Sequence, residues 1–177
     1  MSIVNTLSFE SNRQIKINFS GGDLSSDAGL LLIKEFAAKI GFSKLIKNKF
    51  KTNDKSVRFH KDNENLMQMI YQIIAAYFED DCADELTHDP VFQAILDKNA
   101  LASQPTLSRF FNRMDEDTLR QFDDIDQRLR DIVYSIKHPE HILLDLDSTL
   151  LGTYGHQEGE GFNFHYQAHG YHPLLCY

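Results

Sequence analysis

Asp145 and Asp147 stand two residues apart in the run Ile142-Leu143-Leu144-Asp145-Leu146-Asp147-Ser148-Thr149-Leu150-Leu151. The run is short and apolar and is bounded by Pro139 and Gly152, which predicts a strand buried inside a sheet. Side chains alternate along a strand, so both carboxylates project from one face. Ionised carboxylates in an apolar strand are costly without a partner, and a divalent cation is the usual compensation. Two chemistries use such acids. In one, an Asp is a ligand to paired Mg²⁺ ions that activate a water or a 3′-hydroxyl for in-line attack on a phosphodiester. In the other, Asp145 is itself the nucleophile and Asp147 an acid/base, in an Asp-x-Asp-x-Thr arrangement. A purely structural role has one Asp capping a turn and the other paired with an Arg.

The elements that must position this pair are mostly helical. Ile15, Ile17 and Phe19 alternate with polar residues and run into Gly21-Gly22, which predicts an opening strand or hairpin. Ser25, Ser26 or Asp27 then caps a helix with Leu30, Ile33, Ala37 and Ile40 on one face and Gly41 as its stop, and a short helix covers 44–50. After a polar linker over 52–63, the series Leu66, Met69, Ile70, Ile73, Ile74 and Tyr77 marks a strongly buried helix. Asp89-Pro90 starts a helix through Leu96, and Ser103 opens another across Leu107 to Phe111. Asp115 caps a longer one with Leu119, Phe122, Ile125, Leu129, Ile132 and Ile136 inward. Beyond His138-Pro139 the pattern turns to strand, then to a glycine-rich loop region from 152 to 170, with a second strand over 172–177. The expected class is therefore α+β, with a mainly helical region over 1–138 and a second domain beginning at 139.

The formal net charge of −8 argues at first against nucleic acid. Its distribution argues otherwise: residues 1–61 carry eleven Lys/Arg against five Asp/Glu, and residues 62–177 carry seven against twenty-one. Lys44, Lys47, Lys49, Lys51, Lys55, Arg58 and Lys61 face only Asp54, a local basic stretch of which Lys47, Lys49, Lys51 and Arg58 are the candidate DNA-binding residues. Thr106, Ser108 and Arg109 lie at the start of a helix in the manner of a recognition helix, although an amphipathic helix with Leu107, Phe110 and Phe111 inward explains the apolar part equally well. The acidic stretch from Asp115 to Asp131 reads as a solvated helix face. His165, His169 and His172 have a metal-like spacing, but Gly170 and Pro173 oppose the helix that would gather them. His156, Gln157 and Glu158 occupy the loop beside the acidic strand. Cys82 and Cys176 show no paired spacing and are expected to be reduced, buried thiols. Without a leader-like start or an apolar run long enough to span a bilayer, a soluble cytoplasmic protein with no membrane partner is expected.

Leu144 to Leu150 resembles the motif of haloacid-dehalogenase-like phosphatases. The flanks favour a different family. Leu144-Asp145-Leu146-Asp147-Ser148-Thr149-Leu150, then Thr153-Tyr154-Gly155-His156-Gln157-Glu158-Gly159, then His169-Gly170-Tyr171-His172-Pro173-Leu174-Leu175 resemble the first catalytic strand and following hairpin of DDE transposases, closest to the thirteen-eighty family of insertion sequences. The resemblance extends upstream to Gly21-Gly22-Asp23-Leu24-Ser25-Ser26-Asp27-Ala28-Gly29, to Asp84-Glu85-Leu86-Thr87-His88-Asp89-Pro90-Val91-Phe92 and to Gln104-Pro105-Thr106-Leu107-Ser108-Arg109-Phe110. It implies a ribonuclease-H-like core in which Asp, Asp and Glu hold two Mg²⁺ or Mn²⁺ ions for strand cleavage and transfer, with insertion-sequence DNA ends as partner and a homodimer as one option. By motif position the first acid falls on Asp147, with Asp145 as the alternative. The second Asp and the Glu have no counterpart in this sequence, so the resemblance implies the front portion of such an enzyme, inactive in isolation. Beside it stand the phosphatase, with Asp145 as nucleophile, and a non-catalytic helical DNA-binding module.

Overall fold

The computed structural model describes residues 6–21, 24–79 and 81–176. Residues 1–5, Gly22, Asp23, Asp80 and Tyr177 lie outside the described residues, and with them parts of the turn expected at Gly21-Gly22 and of the strand expected over 172–177. The chain forms two compact units, one ending at Ile136 and one starting at Lys137. Helices dominate the first and short antiparallel sheets make up the second, so α and β structure are mixed and largely segregated along the chain.

In the first unit, the alternation around Ile17 yields a hairpin of β1 (Thr6–Ser8) and β2 (Lys16–Asn18), with Leu7 opposite Ile17. Helix α1 (Leu30–Lys39) starts later than a cap at Ser25 to Asp27 would place it. The Asp27 carboxylate instead accepts from Tyr77 Oη at 3.0 Å and from Ser26, so it is taken before it can cap a helix. Gly41, at φ 72°, occupies the left-handed region that a Cβ disfavours and separates α1 from α2 (Phe42–Lys49).

Helix α3 (Asp62–Ile74) keeps part of the inward stripe its apolar spacing marks, with Met69 and Ile70 packed against the core, and widens it with polar residues. Leu66, Met67 and Tyr71 are buried together with Asn65, Gln68 and Gln72, while Ile73 and Ile74 are exposed. Gln68 is tolerated inside because its amide donates to the Ala102 carbonyl and accepts from the Ala102 N–H, each at 2.8 Å. The short α4 (Cys82–Glu85) and a 3-10 turn at Leu86–His88 lead to α5 (Pro90–Leu96). Asp89 caps α5 as its sequence predicts, accepting from the Val91 and Phe92 N–H groups at 2.9 and 2.8 Å. Ser103 does precede α6 (Gln104–Phe111), but Asp84 of α4 accepts the free Gln104 N–H at 2.8 Å. Asp115 caps α7 (Glu116–Ile136) through the Thr118 N–H at 2.9 Å. The α7 stripe holds only in its middle: Ile125 is buried, Phe122 and Leu129 pack on the core, and Leu119 and Ile136 are exposed. Its acidic face is solvated, with Arg120 and Arg130 pairing to acids three or four residues away. Phe50 ties α2, α6 and α7 together, meeting Phe110 edge-on at 5.9 Å and Phe122 at 5.2 Å.

In the second unit β3 (Leu146–Ser148) pairs antiparallel with β7 (Leu174–Cys176). A separate sheet has the order β4 (Leu151–Gly152), β6 (Ala168–Tyr171), β5 (Gly161–Asn163). The glycine-rich stretch expected as loop thus holds a β5–β6 hairpin, turned by Gln167 at φ 53°. The expectation of a buried strand fails. Ile142, Leu143, Leu144 and Leu146 are all exposed, Leu143 at 93%. An apolar run signals burial only if a sheet has neighbours and cover, and a two-stranded ribbon supplies neither. Cys176 is likewise exposed rather than buried, and Cys82 is partly covered.

Gly170 is the tightest point of this unit. A Cβ there would collide with the Leu151 carbonyl oxygen and lie 2.9 Å from Leu150 Cδ1. Because Gly170 is paired with Gly152, the backbone cannot retreat without breaking the β4–β6 ladder. Gly170→Ala is expected to destabilise the unit by about 1–3 kcal/mol. Amide hydrogen exchange over 161–171 would rise accordingly, and unchanged protection would show that the ladder tolerates the methyl group.

Candidate functional site

Asp147 lies in the middle of β3, opposite Leu175, and Asp145 immediately precedes the strand. Both side chains are exposed, and neither forms a hydrogen bond or ion pair among the described residues. The inference that burial compels a cation therefore falls away for this pair. What remains is an open pair of oxygen donors at i and i+2 with no cation already beside them. That donor set suits Mg²⁺ or Mn²⁺, since Mg²⁺ is commonly held by one or two carboxylates together with substrate phosphates. No group of three His, Cys, Asp or Glu side chains able to hold a metal occurs among the described residues.

The segment after Asp147 is held firmly. Tyr166 Oη donates to the Ser148 carbonyl at 2.5 Å and lies 2.7 Å from Ser148 Oγ, and its ring stacks on His172 at 5.8 Å. His172 Nε2 also contacts the Gly161 carbonyl at 3.2 Å. Glu160 is well covered and accepts from Thr153 Oγ1 at 2.9 Å, with His169 Nδ1 at 3.4 Å and His156 Nδ1 at 3.8 Å. The Thr153 hydrogen bond, helped by the two imidazoles, holds its carboxyl below the usual range despite the opposing effect of burial. His165, His169 and His172 do not converge on one point: His165 meets the Tyr166 ring edge-on, His172 stacks on the same ring, and His169 faces Glu160.

In the helical unit, the basic residues gather around clefts that share lining residues. A cleft of about 560 Å³ is lined by Lys34, Lys44, Lys47 and Lys98, with Glu64 and Asp97 as counter-charges. Tyr71 also lines it, its phenol pushed up to about 12 by burial and by the nearby Asp97 charge. Lys47 continues into a second cleft with Lys51, Arg58 and Lys61, and Arg58 into a third, of about 280 Å³, with Thr106 and Arg109. The structure therefore joins Lys47, Lys51 and Arg58 and joins Arg58, Thr106 and Arg109. Lys49 and Ser108 line neither cleft, because two helical positions turn a side chain about 200° away. Phe111, expected inward, is exposed.

A family model described as Transposase DDE domain group 1 matches residues 7–177. The chain belongs to this DDE transposase family. Membership implies DNA as the partner and gives no support to the phosphatase reading of Asp145 and Asp147. No curated protein and no solved structure gives a significant match. Among the described residues, no helix of the transposase is long and apolar enough to cross a membrane.

Several side chains that shape the transposase clefts escaped the sequence reading. Phe59, His60, Asn65 and Arg113 line the third cleft. An isolated exposed Phe in a polar linker was the one signal available for them; Asn65 and Arg113 take their places only through packing. Glu160 and Tyr166 were equally silent, because their partners come from β4, β6 and the strand bearing Asp147.

Proposed function

We propose that this transposase domain binds the DNA ends of an insertion sequence of the thirteen-eighty type through its helical unit and contributes Asp147 to the metal-binding acids of a ribonuclease-H-like core. The family match across residues 7–177 carries the reading. The linked basic clefts, with Lys47, Lys51, Arg58, Thr106 and Arg109, support the DNA-binding part through phosphate neutralisation. The partner-free carboxylate of Asp147, with Asp145 two residues away, supports the catalytic part. Mg²⁺ or Mn²⁺ bound there would activate the attacking water or 3′-hydroxyl. The chain's own task is to keep the Asp147 carboxylate free and oriented, which the Tyr166 clamp on neighbouring Ser148 favours. No described residue is assigned to the second Asp or the Glu. An element has two ends, so two copies of the protein would each hold one, in the cytoplasm where the DNA lies.

The test is a mobility shift on terminal sequences of the element without metal, followed by a cleavage assay with Mg²⁺. A shift that weakens with salt is expected of this chain, and nicking after the metal is added is expected only where the second Asp and the Glu are also supplied; DNA that is not shifted would refute the reading. The two lysines of the basic stretch should then separate. Lys47→Glu is expected to weaken binding and flatten its salt dependence by about one unit of slope per lost phosphate contact. Lys49→Glu is expected to do less, because it lies off the clefts. Equal effects would show that net charge alone governs binding.

A further inference from the structure

Asn65, on α3, is 1% exposed, and neither its amide nitrogen nor its amide oxygen has a hydrogen-bond partner among the described residues. It is one of the residues lining the cleft of about 280 Å³, together with Arg58, Thr106, Arg109 and Arg113. Leaving both halves of a buried amide unmet is unfavourable, so the site favours a polar occupant, a water when empty and a ligand edge when bound. Its chemistry follows from what is unmet. A phosphate alone would answer only the amide N–H₂, whereas adjacent donor and acceptor groups answer both atoms, and a nucleobase edge has that pattern.

The surroundings agree with such an occupant. Phe59 stands at the cleft with 77% of its surface exposed; Lys98 lies 5.4 Å from its ring centroid and His60 meets its edge, which holds the ring in place as a platform for stacking. Arg58 is paired with Asp54 and Arg113 with Asp62, but Arg109 is exposed and has no ion-pair partner among the described residues, leaving one guanidinium for a phosphate. Both amide atoms are closed to solvent, so a base edge would meet them only once a bordering side chain swings aside, and a base held inside an intact duplex could not follow it in.

We propose that this cleft binds one unpaired nucleotide of DNA, with the base edge on the Asn65 amide, the ring on Phe59 and the phosphate near Arg109. The proposal rests on the DNA-binding reading above and adds to it a preference for an unstacked base; adenine is the best match to an Asn amide.

Fluorescence anisotropy of the full chain can test it with three labelled probes: a blunt duplex, the same duplex with a one-nucleotide adenine overhang, and the same with an abasic overhang. The adenine overhang is expected to bind about tenfold tighter than the abasic one, the order that a bidentate amide contact gives. Asn65→Leu is expected to abolish that ratio without lowering the melting temperature, because it removes an unmet buried amide at nearly constant shape. Phe59→Ala, at an exposed position, is expected to reduce the ratio several-fold. Equal binding of adenine and abasic overhangs by the unaltered protein, with the blunt duplex also bound, overturns the nucleotide site and leaves the DNA reading intact. No binding of any probe overturns both. A melting temperature that falls in Asn65→Leu while Phe59→Ala keeps the full ratio makes Asn65 a structural residue and overturns the proposal.

Discussion

In a transposase that carries the second Asp and the Glu beside this domain, Asp147→Asn is expected to reduce Mg²⁺-dependent DNA cleavage on the order of 10³-fold or more, while leaving DNA binding and the melting temperature unchanged. The first effect follows from the role proposed for the carboxylate. An amide keeps the size of the side chain but removes the charge and one of the oxygens through which a hard divalent ion is held. The second follows from its surroundings, since the Asp147 side chain is exposed and has no hydrogen-bond or ion-pair partner among the described residues, and substitutions at such positions usually stay within about 0.5 kcal/mol. Asp145→Asn is expected to cost less, because Asp145 precedes the strand and is the alternative ligand. A supercoiled-plasmid nicking assay run beside thermal melting reads both quantities. Cleavage by Asp147→Asn at the unaltered rate would remove this residue from the metal site. Hydrolysis of a small aryl phosphate that disappears in Asp145→Asn would instead identify a carboxylate nucleophile.

Asp62→Ala is expected to destabilise the helical unit by about 2–3 kcal/mol, towards the lower end for a buried ion pair because both partners keep an edge in water. Asp62, at the first turn of α3, accepts from Thr52 Oγ1 at 2.6 Å, from the Thr52 N–H at 3.0 Å and from Arg113 at 2.8 Å. One carboxylate therefore anchors the linker over 52–61 and neutralises Arg113 between α6 and α7. Burial pushes its pKa up, but the Thr52 and Arg113 hydrogen bonds together outweigh that push and hold the carboxyl below its ordinary value. Glu64 behaves alike: burial works against its charged form, while Lys98 and the Lys61 N–H hold it down. Groups with a lowered folded pKa bind fewer protons folded than unfolded through that range. Their stabilisation is thus complete above the unfolded value of about 4 and is lost as pH falls through the folded value. Urea unfolding followed by helical circular dichroism at pH 7 and pH 3 should show the gap between the unaltered protein and Asp62→Ala closing at the lower pH. A gap of equal size at both pH values would mean that packing, not charge, accounts for the loss.

Helix caps and stops were legible because they depend on neighbours a few residues apart. Asp89 and Asp115 cap the helices their positions announce, and Gly41 ends α1 where a left-handed residue is needed. Two of the departures come from distant partners. The cap at Asp27 is lost to Tyr77, fifty residues away, and Gln68 is admitted to the inward face of α3 by a pair of bonds to Ala102. The β5–β6 hairpin hid behind glycines whose turn propensity outweighed a weak strand pattern. The acidic strand was the reverse case, since a greasy run read as buried is left open by a ribbon of two strands.

By itself the amino-acid sequence determined the order of the main helices, the polarised charge and the paired acids at 145 and 147, together with the family these segments belong to, because each is a property of adjacent or closely spaced residues. Only the tertiary structure decided that Arg58, Thr106 and Arg109 meet over an unpaired Asn65 while Lys49 and Ser108 stand aside, and that Tyr166 clamps the residue next to Asp147. Those groupings join residues tens of positions apart, where the direction of each side chain is set by what the opposite element leaves room for, and no local periodicity encodes that.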